Sequence, residues 1–439
     1  MTRQDRLPQQ NQPADAIEQA LYPARRLKVL MVSDVCHPRV NGVSTSIETF
    51  AVALSRLGVR VTLVAPDYPG ANPANDTAAA SCAEVLRIPS RPVPFDPEDR
   101  LMQWGDLAAL DRRLASAVPQ GDTAAHNFDL VHVQTPFAAH YAGMRFARKR
   151  RIPCVATYHT HFEEYLFHYV RFLPRAVLRQ AARSLARHQC NGLDGVVVPS
   201  NPMAETLQSY GVKAPMHIIP TGLPDSQFVR GNGKRFRQHW GIAPTRKIAL
   251  FVGRAAFEKN IDFLLEVTAI ARLKQPHLML VIAGEGPALA ALRKQAEALR
   301  IEDHVRFVGY LPRHEGLRDC YAAADVFTFA SKTETQGLVL LEAMAIGLPV
   351  LAIPALGAAE IINPARGALP GADTPAAFAS QLVELLNAGD RLAAMSEEAI
   401  RFARQWDASS QAVRLASLYR SLLRAPVAAL DQQTLAAPR

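Results

Sequence analysis

The sequence predicts an α/β protein built from two Rossmann-like domains, each with a parallel sheet. Short β-branched runs alternate with helical stretches, and this alternation occurs twice along the chain. A chain of 439 residues is also too long for one ordinary hydrophobic core. With 49% hydrophobic and 20% charged residues the composition is that of a globular protein, and no apolar run is long enough to span a membrane.

The first set of strands begins at residues 28–32 (KVLMV), a continuous apolar run that is typical of a buried strand. Further short, β-branched strands are predicted at residues 59–65, 85–88, 130–133, 154–158, 195–198 and 217–220. Helical stretches separate most of them, for example residues 46–57 and 137–148, which indicates βαβ units. We therefore assign residues 25–222 to the first domain. Residues 1–24 are polar and carry no secretory signal, which predicts a disordered tail.

A second set of strands predicts the second domain. These strands are predicted at residues 248–252, 279–283, 305–308, 326–329 and 350–353. Residues 221–233 contain Gly, Pro, Asp and Ser without periodicity, so the boundary between the domains is predicted there. The second domain then covers residues 234–408, followed by a helix at 409–424 and a tail at 425–439. A ligand cleft is expected between the two domains.

Cysteines and charge give information on compartment and partners. The five cysteines are scattered and include no Cys-x-x-Cys pair, which predicts a reduced, cytoplasmic compartment. The formal net charge is +9, and residues 145–190 hold ten Arg and Lys side chains against two acidic ones. The rest of the chain is close to neutral and contains no recognisable nucleic-acid-binding module, so nucleic acid is not a predicted partner.

Residues 331–352 (SKTETQGLVLLEAMAIGLPVLA) place two carboxylates, Glu334 and Glu342, around a predicted helix start. A buried strand is predicted before this segment, and a helix is predicted over residues 336–346. The amide groups at such a helix start can bind phosphate beyond the strand ends of an open α/β sheet. Eight helical positions separate the two side chains by about 12 Å along the axis, so they cannot share one proton. Alternatively, Glu342 only solvates an ordinary helix.

The second domain opens with FVGRAAFEKN (residues 251–260), in which Arg254 and Lys259 follow a strand. A guanidinium can bind phosphate oxygens in a fork and an ammonium acts as a point charge, so this pair suits a pyrophosphate. The alternative is two solvated surface cations. The Gly-Glu-Gly turn at residues 284–286 is a fragment of a dinucleotide-binding fingerprint, but Leu289 occupies the third glycine position.

Two positions of the first domain are further candidates. Gly42 lies in a predicted loop, residues 34–46, where a backbone amide could approach a phosphate; alternatively it is a simple turn glycine. His159 follows the predicted strand at 154–158 and could bond a hydroxyl or stabilise developing charge. His159 and His161 lack a carboxylate or cysteine at suitable spacing, so no metal site is predicted.

The Glu-x7-Glu spacing followed by A-M-A-x-G-x-P-V, together with G-R-x4-K at residues 253–259, resembles the signature of family 4 retaining glycosyltransferases of the GT-B fold. The resemblance covers about residues 28–423. It implies a nucleotide diphosphate sugar as co-substrate and no cofactor or metal. It also implies that the two domains face each other across a cleft and that the helix at 409–424 crosses back onto the first domain.

The resemblance also implies roles for individual residues. Arg254 and Lys259 would neutralise the leaving diphosphate, and Glu334 and His159 would act on the donor sugar from opposite domains. Glu342 would hold the ribose, and the Gly42 amide would approach the donor phosphate. The implied donor-binding residues are Gly42, Arg254, Lys259, Glu334, Thr335, Gln336, Gly337, Leu338 and Glu342.

Two segments narrow the resemblance to diacylglycerol glucosyltransferases. One is Y-H-T at residues 158–160 with Y-L at 165–166, and the other is E-T-Q-G at 334–337, where the commoner family sequence is E-G-F-G. A basic helix follows the aromatic segment, and this combination is typical of a surface that binds anionic lipid. The alternative is a solvated helix face. The predicted membrane and acceptor residues are Tyr165, Phe167, Arg171, Arg175, Arg179 and Arg183.

The favoured hypothesis is therefore transfer of glucose from UDP-glucose to diacylglycerol by an enzyme bound peripherally to the inner face of the cell membrane. An alternative keeps the enzyme but changes the acceptor to phosphatidylinositol, a lipopolysaccharide core or a soluble sugar, with a GDP-sugar as a possible donor. A remote alternative is a non-catalytic nucleotide-binding module or an NAD-dependent oxidoreductase. The sequence leaves the sugar, the base, the acceptor and the oligomeric state open.

Overall fold

The computed structural model of the chain describes residues 26–69, 78–93, 96–116, 127–159, 175–313 and 315–424. Within these ranges the chain forms two parallel sheets and one small antiparallel hairpin. The predicted tails, residues 1–24 and 425–439, lie outside the described residues.

The first sheet has seven parallel strands in the order β3-β2-β1-β6-β7-β8-β9 within the described residues. Its strands are β1 (Lys28–Val32), β2 (Arg60–Pro66), β3 (Glu84–Ile88), β6 (Leu130–Val133), β7 (Cys154–Thr157), β8 (Gly195–Val198) and β9 (Met216–Ile218). The hairpin consists of β4 (Ser90–Val93) and β5 (Asp96–Met102). The helices of this part are α1 (Gly42–Arg56), α2 (Ala78–Ser81), α3 (Trp104–Ala108), α4 (Leu110–Ser116), α5 (Ala138–Arg150), α6 (Arg175–Asn191) and α7 (Asn201–Ser209).

Each predicted strand of the first sheet is confirmed to within two residues at either end. The central strand β1 is apolar and buried, because it pairs with β2 on one side and with β6 on the other. The β4–β5 hairpin was not predicted, since β5 (DPEDRLM) has no apolar alternation. Its sequence alone gives no sign of a strand.

Helix α1 begins at Gly42, four residues before its predicted start at residue 46. The Asn41 side chain accepts hydrogen bonds from the backbone amides of Val43 and Ser44, each at 3.0 Å, and Ser44 Oγ accepts from the Asn41 amide at 2.9 Å. This reciprocal capping box satisfies amides that a helix start leaves open, and it fixes the start of α1. Gly42 is therefore the first residue of a helix and not part of a long loop.

The second sheet has six parallel strands in the order β12-β11-β10-β13-β14-β15 within the described residues. Its strands are β10 (Lys247–Val252), β11 (Leu278–Ala283), β12 (Val305–Gly309), β13 (Val326–Phe329), β14 (Val350–Ala352) and β15 (Ala368–Pro370). Its helices are α8 (Gly233–His239), α9 (Ile261–Ala271), α10 (Leu289–Ala298), α11 (Gly316–Ala323), α12 (Leu338–Ala345), α13 (Leu356–Ile361), α14 (Pro375–Asn387) and α15 (Gly389–Ala403). The five predicted strands are confirmed to within one residue, and the three-residue edge strand β15 was missed.

The order of the second sheet reverses between β10 and β13. The chain runs outward from β10 through β11 and β12, then returns to the other side of β10 as β13. Buried aromatic rings hold these central strands together, since Phe251 stacks on Phe329 with ring centroids 5.8 Å apart. A reversal of this kind leaves a crevice between the two loops that follow the strands, and ligands bind in such crevices.

The last described helix, α16 (Ala408–Arg424), crosses back onto the first domain. Its buried Leu415 and Tyr419 belong to the same apolar cluster as Ile47 and Phe50 of α1. Tyr419 is completely buried, and its hydroxyl lies 2.6 Å from His132 Nδ1 in the centre of the first sheet. The predicted fold, two parallel-sheet Rossmann-like domains with a crossing C-terminal helix, is confirmed.

Candidate active site

The two loops that meet at the reversal of the second sheet bring Lys259 and Glu334 together. Lys259 ends a short 3-10 helix after β10, and Glu334 lies in the loop after β13. The Lys259 ammonium and the Glu334 carboxylate form an ion pair, with side chains 20% and 18% exposed. Two candidates that are 75 residues apart in sequence therefore share one crevice.

Arg254 lies in the same crevice, directly after β10. Its side chain is partly buried, and this burial lowers the pKa of the guanidinium. The positive charge of Arg39 in the first domain lowers that pKa further, while Glu258 raises it. Two cations from opposite domains thus act on the same space, which favours an anionic ligand there.

The Gly-Glu-Gly turn packs against the Arg254 loop. A Cβ atom on Gly284 would lie 1.9 Å from the Gly253 carbonyl oxygen, so only glycine fits at this position. The backbone of this turn also fixes the loop, since the Ala255 amide donates to the Glu285 carbonyl at 2.8 Å. The two glycines are therefore explained by close packing of two loops.

Glu342 lies on α12, and its side chain is more deeply buried than that of Glu334. Its carboxylate is 3% exposed and is paired with the Arg313 guanidinium, while Tyr321 Oη donates to its second oxygen at 3.1 Å. Burial alone would lower the pKa of Arg313, but Glu342, with smaller contributions from Tyr321 and Glu48, raises it above its ordinary value. Burial and the same carboxylate raise the pKa of Tyr321. The alternative that Glu342 only solvates an ordinary helix is therefore wrong, because its carboxylate is buried.

Arg313 also connects the two domains. Its Nη1 donates to Thr45 Oγ1 on α1 at 2.8 Å, so one guanidinium bridges Glu342 and the first-domain helix that begins at Gly42. Gly42 itself is exposed, and a Cβ atom placed there would meet no protein atom within 4 Å. The protein's own packing therefore does not require glycine at position 42.

His159 lies at the carboxyl end of β7 and is held by Gln134, which follows β6. His159 Nε2 is 3.0 Å from Gln134 Oε1, so a neutral ring that donates from Nε2 keeps Nδ1 as an acceptor. Burial lowers the pKa of His159 from 6.5 to about 4. Because the unfolded chain binds this proton first as pH falls, stability from the neutral ring is complete above pH 6.5 and declines towards pH 4.

The carboxylate loop reaches His159 across the cleft through Thr335, whose Oγ1 donates to the His159 carbonyl at 2.8 Å. Gln336 is 7% exposed and bonds the backbone of Thr221 in the interdomain linker. Gly337 adopts a left-handed conformation with φ +84°, so α12 begins at Leu338 and not at the predicted residue 336. The structure therefore brings the predicted residues from 334 to 338 to one side of the cleft.

The basic segment lies elsewhere on the first domain. Tyr165, Phe167 and Arg171 lie outside the described residues, and Arg175 begins α6. Arg179 is exposed, whereas the Arg183 guanidinium lies 5.1 Å from the centre of the Tyr210 ring. The helix also exposes two large apolar side chains, Val177 at 54% and Leu185 at 42%.

Three residues of the site, Arg39, Gln134 and Arg313, were not among the predicted residues. Each follows a strand that ends at the cleft: β1, β6 and β12 respectively. The rule that singled out Arg254, a polar side chain just after a strand of a parallel sheet, could have found Gln134, which directly follows β6. Arg313 and Arg39 lie four and seven residues beyond the ends of their strands. Their sequence neighbours do not form a recognisable motif.

Two further properties concern metals and membranes. In the parts of the chain that the structure describes, no three or more His, Cys, Asp or Glu side chains form a group that could hold a metal ion. Among the same residues, no helix combines the length and the apolar character needed to cross a bilayer.

Comparison with known proteins gives matches along most of the chain. Residues 40–227 match the family model Glycosyltransferase Family 4, and residues 233–402 match the model Glycosyl transferases group 1. The chain is 34% identical over 340 residues to an alpha-monoglucosyldiacylglycerol synthase of Streptococcus pneumoniae, covering 74% of this chain and 71% of that protein. It is 30% identical over 347 residues to a GDP-mannose-dependent alpha-mannosyltransferase of Mycobacterium tuberculosis, covering 78% and 83% of the two chains.

Among solved structures, the chain is similar to HepE of Anabaena in complex with UDP and glucose. The TM-score is 0.69 at 20% sequence identity, and the alignment covers 90% of this chain and all of that chain. At this identity, the likeness shows a shared fold.

We expect Arg313→Ala to lower the midpoint of thermal unfolding by roughly 6–15 °C, because removing one partner of a buried ion pair costs about 3–5 kcal/mol. Differential scanning calorimetry measures this midpoint. Arg306→Ala on the exposed face of β12 is the matched control and should change it by less than about 2 °C. Equal losses in the two variants would contradict a stabilising role for the Arg313–Glu342 pair.

We expect His159 to stay unprotonated in the folded protein from pH 8 to pH 5, because burial lowers its pKa to about 4. The measurement is an NMR titration of protein with 13C-labelled histidine, with the His159 signal assigned by its loss in His159→Gln. The signal should not move over this range. A midpoint between pH 6 and pH 7 would show that the ring is accessible to solvent.

Proposed function

The chain belongs to the family 4 glycosyltransferases, and from that premise we propose that it transfers glucose from UDP-glucose to diacylglycerol. The observation that carries the proposal is the convergence of Arg254, Lys259 and Glu334 at the strand-order reversal of the second sheet. Two cations that can bind a diphosphate lie there beside a carboxylate that can bind sugar hydroxyls.

The diphosphate of the donor binds to Arg254 and Lys259. Arg39 adds a positive charge from the first domain, and the backbone amides at the start of α12 add donors. Lys259 then exchanges its contact with Glu334 for a phosphate oxygen. This releases the Glu334 carboxylate to accept hydrogen bonds from the sugar hydroxyls.

The sugar and the ribose are held by two further groups, His159 and Glu342. His159 acts as a neutral ring, whose Nδ1 accepts from a sugar hydroxyl while Nε2 donates to Gln134. Glu342 holds the ribose. Although Arg313 and Tyr321 already bind Glu342, a carboxylate has about four acceptor positions, so a ribose hydroxyl can still donate to it.

The reaction proceeds by displacement on one face of the sugar. The bond from C1 to the diphosphate oxygen breaks and the bond from C1 to the acceptor oxygen forms on the same face, so configuration is retained. The departing phosphate oxygen takes the proton of the acceptor hydroxyl. Arg254 and Lys259 stabilise the negative charge that grows on the diphosphate. These fixed cations take the place that a metal ion has in other glycosyltransferases, so the reaction requires no metal.

The choice of donor and acceptor is supported by the relatives. One is named an alpha-monoglucosyldiacylglycerol synthase, and a protein of the same fold was solved with UDP and glucose. A second relative is named GDP-mannose-dependent, so a GDP-mannose donor is the alternative that the test must include. Phosphatidylinositol, a lipopolysaccharide core and a soluble sugar remain the alternative acceptors.

We propose that the first domain binds the cytoplasmic surface of the membrane through α6. The exposed Arg179 and Arg187 can attract anionic headgroups, and the exposed Val177 and Leu185 can enter the interface. The exposed basic residues at the end of α5 extend this charge. Peripheral binding brings the cleft to a lipid acceptor without a membrane-spanning segment.

We expect the purified protein to convert UDP-glucose and dioleoylglycerol in mixed micelles to an α-linked glucolipid, identified by mass spectrometry and NMR. Glu334→Gln and Lys259→Ala should each lower kcat by about 10²–10³-fold, as loss of a transition-state contact does. Lys332→Ala is the matched control, because Lys332 is an exposed lysine in the same loop that pairs with Asp373. The control should retain wild-type activity, and EDTA should have no effect.

If only GDP-mannose supports transfer, the donor is GDP-mannose and not UDP-glucose. If only a soluble sugar accepts the hexose, the acceptor is not a lipid. Failure with every nucleotide sugar and acceptor, or full activity in Glu334→Gln, would refute the proposed reaction or its site.

We expect the protein to bind vesicles that contain phosphatidylglycerol and to bind neutral phosphatidylcholine vesicles weakly. The double change Arg179→Glu and Arg187→Glu should weaken binding at least about 25-fold, because each basic residue at an anionic surface contributes about 1 kcal/mol. Vesicle sedimentation measures the partition. Lys294→Glu on an exposed position of α10 in the second domain is the control. Unchanged partition of the double variant would show that α6 is only a solvated helix.

A further inference from the structure

The loop between β13 and α12 is bound to the first domain by its two central residues. Thr335 Oγ1 donates to the His159 carbonyl at 2.8 Å, and the Thr335 carbonyl accepts from Ser200 Oγ at 2.7 Å. The Gln336 side-chain amide makes two bonds with Thr221, accepting from its amide at 2.9 Å and donating to its carbonyl at 2.7 Å. We call these four hydrogen bonds the interdomain clasp.

The clasp is buried and continues into the first domain. Gln336 and Thr221 are 7% and 6% exposed, so the hydrogen bonds between them are shielded from water. Thr221 Oγ1 donates in turn to Ser46 Oγ on α1 at 2.7 Å. A chain of polar contacts thus runs from the carboxylate loop through the linker to α1, which begins at Gly42.

The same loop is fixed from behind by its own domain. A Cβ atom on Gly357 would lie 2.0 Å from the Thr335 carbonyl oxygen, and the Gly357 amide donates to the Glu334 carbonyl at 2.9 Å. The loop therefore cannot retreat into the second domain without a clash. Glu334 is held between α13 on one side and the first domain on the other.

We propose that Thr335 and Gln336 are positioning residues. By fastening the carboxylate loop to the first domain, they fix the position of Glu334 relative to His159 across the cleft. This inference rests on the proposed function for the roles of Glu334 and His159. The Thr335 hydroxyl and carbonyl both bond first-domain groups, and the Gln336 side chain bonds the linker through both its oxygen and its nitrogen.

The clasp also explains the departure of this loop from the commoner E-G-F-G sequence. A glycine in place of Thr335 has no hydroxyl to donate to His159. A phenylalanine in place of Gln336 has neither the amide donor nor the oxygen that bind Thr221. Thr335 and Gln336 are therefore explained by the way the domains are joined in this chain. The acceptor class has to be inferred from other residues.

The first arm of the test is kinetic. Thr335→Val keeps the shape of the side chain and removes the bond to His159, so we expect kcat to fall roughly 2- to 12-fold, the range of one neutral hydrogen bond, with the donor KM within about twofold. Thr333→Val is the matched control, because among the described residues the Thr333 hydroxyl bonds only Ser331 of its own loop, and its loss should change neither constant. A donor KM that rises with kcat unchanged would instead show direct contact with the donor and overturn the proposal.

Ser200→Ala provides a milder second variant from the other domain. If Ser200 and Thr335 act in one clasp, the double variant should lose less activity than the product of the two single losses. Strictly multiplicative losses would overturn the coupling.

The second arm does not depend on catalysis. The five native cysteines are buried, so spin labels can be placed on Ser55→Cys in the first domain and Ala298→Cys in the second. Pulsed electron paramagnetic resonance on protein without added nucleotide should give a narrow interdomain distance distribution that broadens in Thr335→Val with Gln336→Leu and stays narrow in Thr333→Val. Identical distributions in all three would overturn the proposal. If the wild-type protein transfers no sugar, the proposed function fails, and these distributions still decide whether the clasp joins the domains.

Discussion

The strands of a parallel sheet all end at the same edge, and this constraint determines where the candidate residues of the cleft lie. In both domains the loops that leave this edge line the cleft. Lys259 and Glu334, which follow two neighbouring strands, are 75 residues apart in sequence and form an ion pair. Arg313 and Thr45, which come from different domains, are 268 residues apart and share a hydrogen bond. Sheet order, and not proximity in sequence, assembles the site.

A second consequence of this arrangement is that two cations of the cleft are already paired with carboxylates. Lys259 is paired with Glu334, and Arg313 with Glu342. Under the proposed function, a donor diphosphate that binds Lys259 replaces the existing ion pair with Glu334. The net gain is then smaller than a count of the new contacts suggests. Under the proposed function, the groups that stabilise a developing charge are then already oriented, which is the requirement for electrostatic catalysis.

The features that the sequence predicts best are those encoded within a few residues. The strands of both sheets, the order of strand, loop and helix around Arg254 and around Glu334, and the crossing helix follow from local patterns and family resemblance.

The start of α1 was misplaced because Asn41 and Ser44 cap the helix through a reciprocal contact that also occurs in loops. Arg313 was missed because it belongs to no recognisable motif and its partner Glu342 lies 29 residues away. Gln336 was predicted to bind the donor, whereas its contacts in the structure are with Thr221 of the linker. Local sequence gives the loops, but the packing of two domains decides which of their side chains meet.

The crossing helix has a consequence for synthesis of the protein. Leu415 and Tyr419 close one apolar cluster of the first domain, and the Tyr419 hydroxyl bonds the buried His132 beneath the cleft. When only the first half of the chain has left the ribosome, the first domain therefore lacks the helix that completes this apolar cluster. At about 5–20 residues per second, the helix follows roughly 10–40 s after the first domain's own strands have left the ribosome. During that interval Ile47 and Phe50 lack the helix that packs against them in the complete protein, so an apolar surface of the first domain stays exposed to water while the second domain is being made.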